Sequence, residues 1–137
     1  SALQWDPKDA STHETLGALL RVKNDYSGAV ESLKTAVEID PTKSGPRLSL
    51  GSALVDAGKL TEAEESFKSV LALDPADWQA HYNLGKVLAK NAARRSDAEA
   101  SYREALRIDP KQADVHVALG KALEDGGDLK GARKSYE

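Results

Sequence analysis

The chain has no cysteine and no methionine, and only 5% of its 137 residues are aromatic. Without cysteine there is no disulfide, no thiolate nucleophile and no thiolate zinc site, although this names no compartment. The lack of methionine, even at the start, leads us to expect an interior fragment of a longer polypeptide. No apolar run approaches the ~18 residues needed to span a bilayer, and no secretory leader is visible, so no membrane insertion is expected. The formal net charge is -3 and the pI about 5.6. A nucleic-acid partner would need a basic stripe to neutralise phosphates, so none is expected. There is no glycine-rich phosphate loop, no nucleophile beside a base and no spaced acid pair tied to a pocket. The reading is therefore not an enzyme, with no cofactor and no metal.

What is present fits a soluble globular chain: 40% hydrophobic, 30% charged, and of a length that suits one domain. Alanine, which packs helices closely and favours them most, is abundant. The organising feature is a repeat. Moving the stretch 44–77 back by one period sets Leu50-Gly51 on Leu16-Gly17, Ala63 on Ala29, and Asp74-Pro75 on Asp40-Pro41. Moving it forward sets Leu50-Gly51 on Leu84-Gly85; after a single insertion, Ala63 meets Ala98 and Asp74-Pro75 meets Asp109-Pro110. The register runs 10–43, 44–77, 78–112 and 113–137, with residues 1–9 as the end of a preceding repeat. Periods of this size mark solenoids.

Each repeat reads as two helices. In the second, Pro46 to Ala57 carries Leu50, Ala53 and Leu54 at helical spacing. Gly58 supplies the left-handed stop, and Thr61-x-x-Glu64 suggests a capping box that Ser11-x-x-Glu14 and Ser96-x-x-Glu99 repeat. Ala63, Phe67, Val70, Leu71 and Leu73 point the second helix inward, and Pro75 closes the repeat. Gly17, Gly51, Gly85 and Gly120 are expected where paired helices cross, opposite Ala29, Ala63, Ala98 and Ala132. Leu33, Phe67, Tyr102 and Tyr136 are expected to fill space between repeats, and Trp5, Ile39, Leu73 and Ile108 to form a column before each Asp-Pro.

Leu50-Gly51-x-x-Leu54, Ala63-x-x-x-Phe67 and Pro75, repeated along the chain, resemble the tetratricopeptide repeat. Two departures stand out. The position usually held by tryptophan carries His13, Arg47, His81 and His116, and the third repeat has an extra residue with Arg94-Arg95 in its turn. The resemblance implies an all-α, right-handed α-solenoid of antiparallel helix pairs. It implies a concave groove, lined by the first helix of each repeat, that grips an extended peptide or a partner's helix. By position the groove residues include Leu48, Ser49, Ser52, Val55, Tyr82, Asn83, Lys86, Lys90 and Lys121. Glu14, Thr15, Ala18, Arg21, Val22, Asp56, Ala89, Val117, Ala118, Glu124 and Asp125 share that lining.

Several residues admit two readings. An asparagine placed like Asn83 holds a bound peptide's backbone in many members of the family, since its amide donates and accepts at once; otherwise it is a solvated helix residue. Lys86, Lys90 and Lys121 suit a carboxylate or acidic peptide, although Asp114, Glu124 and Asp125 are near in sequence. The family's chaperone-binding branch needs Lys and Asn where Glu14 and Ala18 stand, and Leu48 and Ser52 fail likewise one repeat later. A receptor for heat-shock chaperone tails is therefore not expected. Leu48, Val55 and Tyr82 form an apolar strip or pack against the neighbouring repeat. His13, His81 and His116 recur once per repeat, which spaces them roughly 10 Å apart, too far for a shared metal at ~2.0–2.1 Å; packing between repeats suits them better. Arg94-Arg95 reads as a solvated loop or an outer contact point.

The expectation is a protein–protein interaction scaffold that holds a peptide or helix of a partner protein. One alternative is a self-assembling solenoid that stacks head to tail as a homo-oligomer, since the chain stops near where its own beginning would continue. Another is the non-catalytic targeting arm of a larger enzyme such as a glycosyltransferase.

Overall fold

A computed structural model describes residues 9–127 and 129–136. The chain divides into two compact units, 1–74 and 75–137. The first contains α1 (Ala10–Val22), α2 (Tyr26–Ile39), α3 (Ser44–Asp56) and α4 (Leu60–Leu73). The second contains α5 (Trp78–Ala89), a 3-10 turn (Ala92–Arg94), α6 (Arg95–Ile108), α7 (Ala113–Asp125) and α8 (Leu129–Tyr136). Among the described residues there is no strand. The expected helix end before Asp9 lies outside the described residues.

Within the first unit α1 packs on α2 and α3 on α4, and α2 and α1 both touch α3. The second unit repeats this plan with α5 on α6, α7 on α8, and α6 and α5 against α7. Each repeat is thus an antiparallel hairpin, and within each unit the two first helices meet side by side. The hairpins turn on residues in the left-handed region: Asn24 (φ 63), Gly58 (φ 78) and Gly127 (φ 87). The third repeat has none of these. Its extra residue is taken up by the 3-10 turn, which Asn91 caps by accepting from the Ala93 amide at 3.0 Å.

The crossing glycines are where the sequence puts them, but they face different partners. A Cβ on Gly17 would stand 2.6 Å from Leu33, and on Gly51, Gly85 and Gly120 it would stand 2.5 Å from the rings of Phe67, Tyr102 and Tyr136. The large column therefore seats on the glycine of its own repeat. The alanines opposite are buried beside it, Ala29, Ala63 and Ala98 fully. Of the column before each Asp-Pro, Ile39 and Leu73 are 37% and 44% exposed, so these two are no part of the core; Trp5 lies outside the described residues.

The expected capping boxes are not the caps. α4 and α6 begin at Leu60 and Arg95, which puts Thr61 and Ser96 at the second helical position. The cap residues there, Lys59 and Arg94, make no side-chain cap bond. Aspartates cap other helices instead. Asp9 accepts from the Ser11 amide at 2.9 Å, Asp25 from Gly28 at 3.1 Å, and Asp77 from Gln79 and Ala80 at 3.0 and 3.2 Å.

Candidate functional site

The face that the first helices turn to one side differs between the two units. In the first, α3 carries Leu48, Ser52 and Val55 at spacings of four and three, so they share one stripe, with Ser49 beside it. All four are half-buried, and Ser52 spends its hydroxyl on the Leu48 carbonyl at 3.2 Å. Two of the three charges on this face pair, and Glu14 of α1 is the third. Arg21 of α1 donates to Asp56 of α3 at 2.8 Å, tying the two helices together. Ala18 and Val22 lie open beside that pair, Val22 82% exposed.

In the second unit α5 presents Tyr82, Asn83 and Lys86, Lys90 caps the helix end, and Lys121 stands on the adjacent α7. Trp78 stacks on Tyr82 at 6.4 Å between centroids, and Lys86 Nζ lies 4.6 Å from the Tyr82 ring centre. These three sit one helical turn apart on one stripe, so the ammonium holds a fixed place at its end. Tyr82 also meets the buried Tyr102 ring at 6.1 Å. It is thus half-buried and covered on its face, less open than an apolar strip would require. Burial, with Asp114 nearby, pushes the Tyr82 hydroxyl up from its ordinary pKa. Lys86, Lys90 and Lys121 are exposed, and no carboxylate of the described residues lies within ion-pair distance of them. The Asn83 amide likewise has no hydrogen-bond partner among the described residues, whereas Asn91 and Gln112 bond locally.

The residues at the tryptophan position have a role that the sequence reading missed. Arg47 donates to the Pro41 carbonyl at 3.1 Å, and His81 and His116 place Nε2 3.1 and 2.8 Å from the carbonyls of Pro75 and Pro110. Each latches the turn six residues before it. The constant six-residue step from proline to a basic residue was the available signal. Arg47 reaches further, donating to Ser69 of α4 at 2.6 Å. Among the described residues no three His, Asp or Glu side chains gather as a metal group.

The arginines of the third repeat are held too. Arg94 lies 3.9 Å from Asp97. Arg95 packs its Cδ over the end of α7, where a Cβ on Gly126 would stand 3.3 Å away. Among the described residues no helix is long and apolar enough to cross a membrane.

Three family models match the chain: a TPR repeat over 51–91, and tetratricopeptide repeats over 88–137 and 10–43. No curated protein sequence matches. Among solved structures, a crystal structure of MamA is 27% identical, with a TM-score of 0.87, over 96% of this chain and 76% of that one. MamA 41-end from Desulfovibrio magneticus RS-1 is 22% identical, with a TM-score of 0.84, over 94% and 72%. PilF of Pseudomonas aeruginosa is 21% identical, with a TM-score of 0.87, over 96% and 60%. The last two likenesses concern the fold alone.

Proposed function

The chain belongs to the tetratricopeptide repeat family, and on that premise we propose that it is a non-catalytic interaction scaffold whose second unit grips an extended acidic segment of a partner protein. The observation that carries this is three lysines standing outside ion pairs on one face, whose lining Glu124 and Asp125 share. Lys86, Lys90 and Lys121 stand without carboxylate partners on α5 and α7, with the Asn83 amide one turn before Lys86 on α5. On the matching face of the first unit the one cation, Arg21, is paired with Asp56, and Glu14 adds a further negative charge. Asn83 suits a peptide backbone because it donates and accepts together. The lysines suit acidic side chains, and the Trp78–Tyr82 stack holds Lys86 in place.

Mapping amide chemical shifts during titration with a glutamate-rich peptide tests this. Shifts should concentrate at Asn83, Lys86, Ala118 and Lys121. Shifts confined to α6 and α8, or none, would overturn the reading.

Two exposed side chains favour a second reading, stacking of copies. Leu19 is 52% exposed, whereas Ala53, Val87 and Ala122 at its position in other repeats are buried. Tyr136 is 46% exposed, whereas Leu33, Phe67 and Tyr102 are buried. A neighbouring repeat, from the same polypeptide or from another copy, covers such positions. Sedimentation that stays at monomer mass as concentration rises would dispose of stacking for this chain.

A further inference from the structure

Helix α3 has two working sides. It turns Leu48, Ser52 and Val55 one way, and Arg47, Leu50 and Leu54 the opposite way. On that second side, between α2 and α4, the first unit holds a depression of about 250 Å³. Its floor is apolar, made by Val37 of α2 with Leu50 and Leu54 of α3. Its two ends differ in chemistry.

At one end stands the Arg47 guanidinium. It is held from two directions, by the Pro41 carbonyl and by Ser69 Oγ, so its plane is fixed. Those bonds use only two of its five N–H donors. Its Nε is buried and has no hydrogen-bond partner. Ser69 accepts from Arg47, which leaves the Ser69 hydroxyl hydrogen free to donate. Ser66, also lining the depression, gives its own hydrogen to the Arg47 carbonyl at 2.8 Å. This end is thus rich in donors and poor in acceptors. At the other end Lys34 and Glu62 pair across the rim at 3.7 Å, which balances their charges. Glu65 lies on the rim between the ends.

We propose that this depression is a second ligand site, independent of the lysine-lined face, and that it takes a small carboxylic acid with a short apolar tail. The carboxylate sits against Arg47 and Ser69, where a fixed guanidinium offers a charge-assisted fork. The tail lies on Val37, Leu50 and Leu54. The volume is below the ~300–1,000 Å³ of drug-sized sites, which limits the tail to a few carbons. A ligand of that size binds with Kd on the order of 1 mM. Arg47, at the position where the family usually has tryptophan, supplies the positive charge at this end of the depression. His81 and His116 each bond the carbonyl of the turn before their own helix, as Arg47 does, but Arg47 adds a hydrogen bond to the second helix of its repeat.

The test is an amide-shift titration of the whole chain with hexanoate, with hexylamine and hexanol as matched controls. Hexanoate should give saturable shifts at Val37, Leu50, Leu54 and Ser69, and neither control should reproduce them. Arg47→His installs the side chain that the other repeats tolerate. At about pH 8, where an ordinary histidine is neutral, it should keep the fold and weaken hexanoate at least about tenfold. Glu65→Gln removes a rim anion and should tighten hexanoate roughly two- to threefold, an effect that a purely structural role for Arg47 does not produce. Equal shifts with hexylamine or hexanol, unchanged binding by the Arg47→His protein, or no saturation would each overturn the site.

Discussion

A Cβ placed on Gly51 would stand 2.5 Å from the Phe67 ring, closer than real side chains approach, and Phe67 is fully buried with nowhere to retreat. Gly51→Ala should therefore cost about 1–2 kcal/mol in urea unfolding. The overpacking penalty of about 1–3 kcal/mol is only partly offset by the helix propensity alanine gains. Once the ring is removed by Phe67→Ala, the glycine substitution should add no further loss, because the two residues share one contact. Additive losses would mean that Gly51 is needed for another reason. The glycines themselves were legible, since they recur at a fixed place beside leucine. Their partners were not. Spacing tells which face of a helix is buried, but the crossing angle decides which residue on the facing helix lies opposite. That is why spacing pairs the alanines with the glycines, when Leu33 and three aromatic rings are what touch them. The Pro-to-base latch was readable from its six-residue step, yet its meaning needed the hydrogen bonds.

Three helices, α1, α2 and α5, are started by aspartates that lie just before them. Asp77→Ala should cost about 1 kcal/mol, since two amides lose their acceptor. Thr61→Ala, one position too far inside α4 to cap it, should stay within about 0.5 kcal/mol. The reverse order, read from urea midpoints, would restore the capping box. The box failed as a guide because a Ser/Thr-x-x-Glu pattern also occurs inside a first turn when the helix starts earlier. The Asp-Pro turns carry a second device. Thr42 bonds hold the Asp40 carboxyl below its usual range, and Gln112 with the Lys111 amide does the same for Asp109. Their contribution is present above the ordinary aspartate pKa of about 3.9 and is lost as pH falls through the lowered values.

The α5–α6 pair responds at the alkaline end. Burial, helped by Tyr82, pushes the Tyr102 hydroxyl up to about 12. The unfolded value is about 10, so the folded state holds this proton more tightly. The stability it adds, on the order of 2–3 kcal/mol, is intact below about pH 10 and disappears as pH rises through about 12. Tyr102→Phe should flatten the fall in stability over that window. An unchanged alkaline profile would place the titration elsewhere.

At the scale of the molecule, the repeat, the helix pairs and the family were legible because a period that recurs several times outweighs any single departure. The site was legible only in part. Lys86, Lys90, Lys121 and Asn83 are proposed by position, and helical spacing suffices to put Lys86 and Asn83 on one stripe. The Arg21–Asp56 pair was hidden because its members are 35 residues apart and meet only when repeats stack. The depression beside Arg47 was hidden because no pattern in the sequence announces a space. The central claim is that the sign of charge on the α5–α7 face selects the partner. The most direct measurement is peptide affinity for the natural chain and for a Lys86→Glu, Lys90→Glu, Lys121→Glu variant, against a glutamate-rich peptide and its lysine-rich counterpart at low salt. The account predicts that the natural chain prefers the acidic peptide by about tenfold or more, a few exposed charge pairs each adding up to about 1 kcal/mol, and that the variant inverts the preference. Equal preference in both proteins would contradict it.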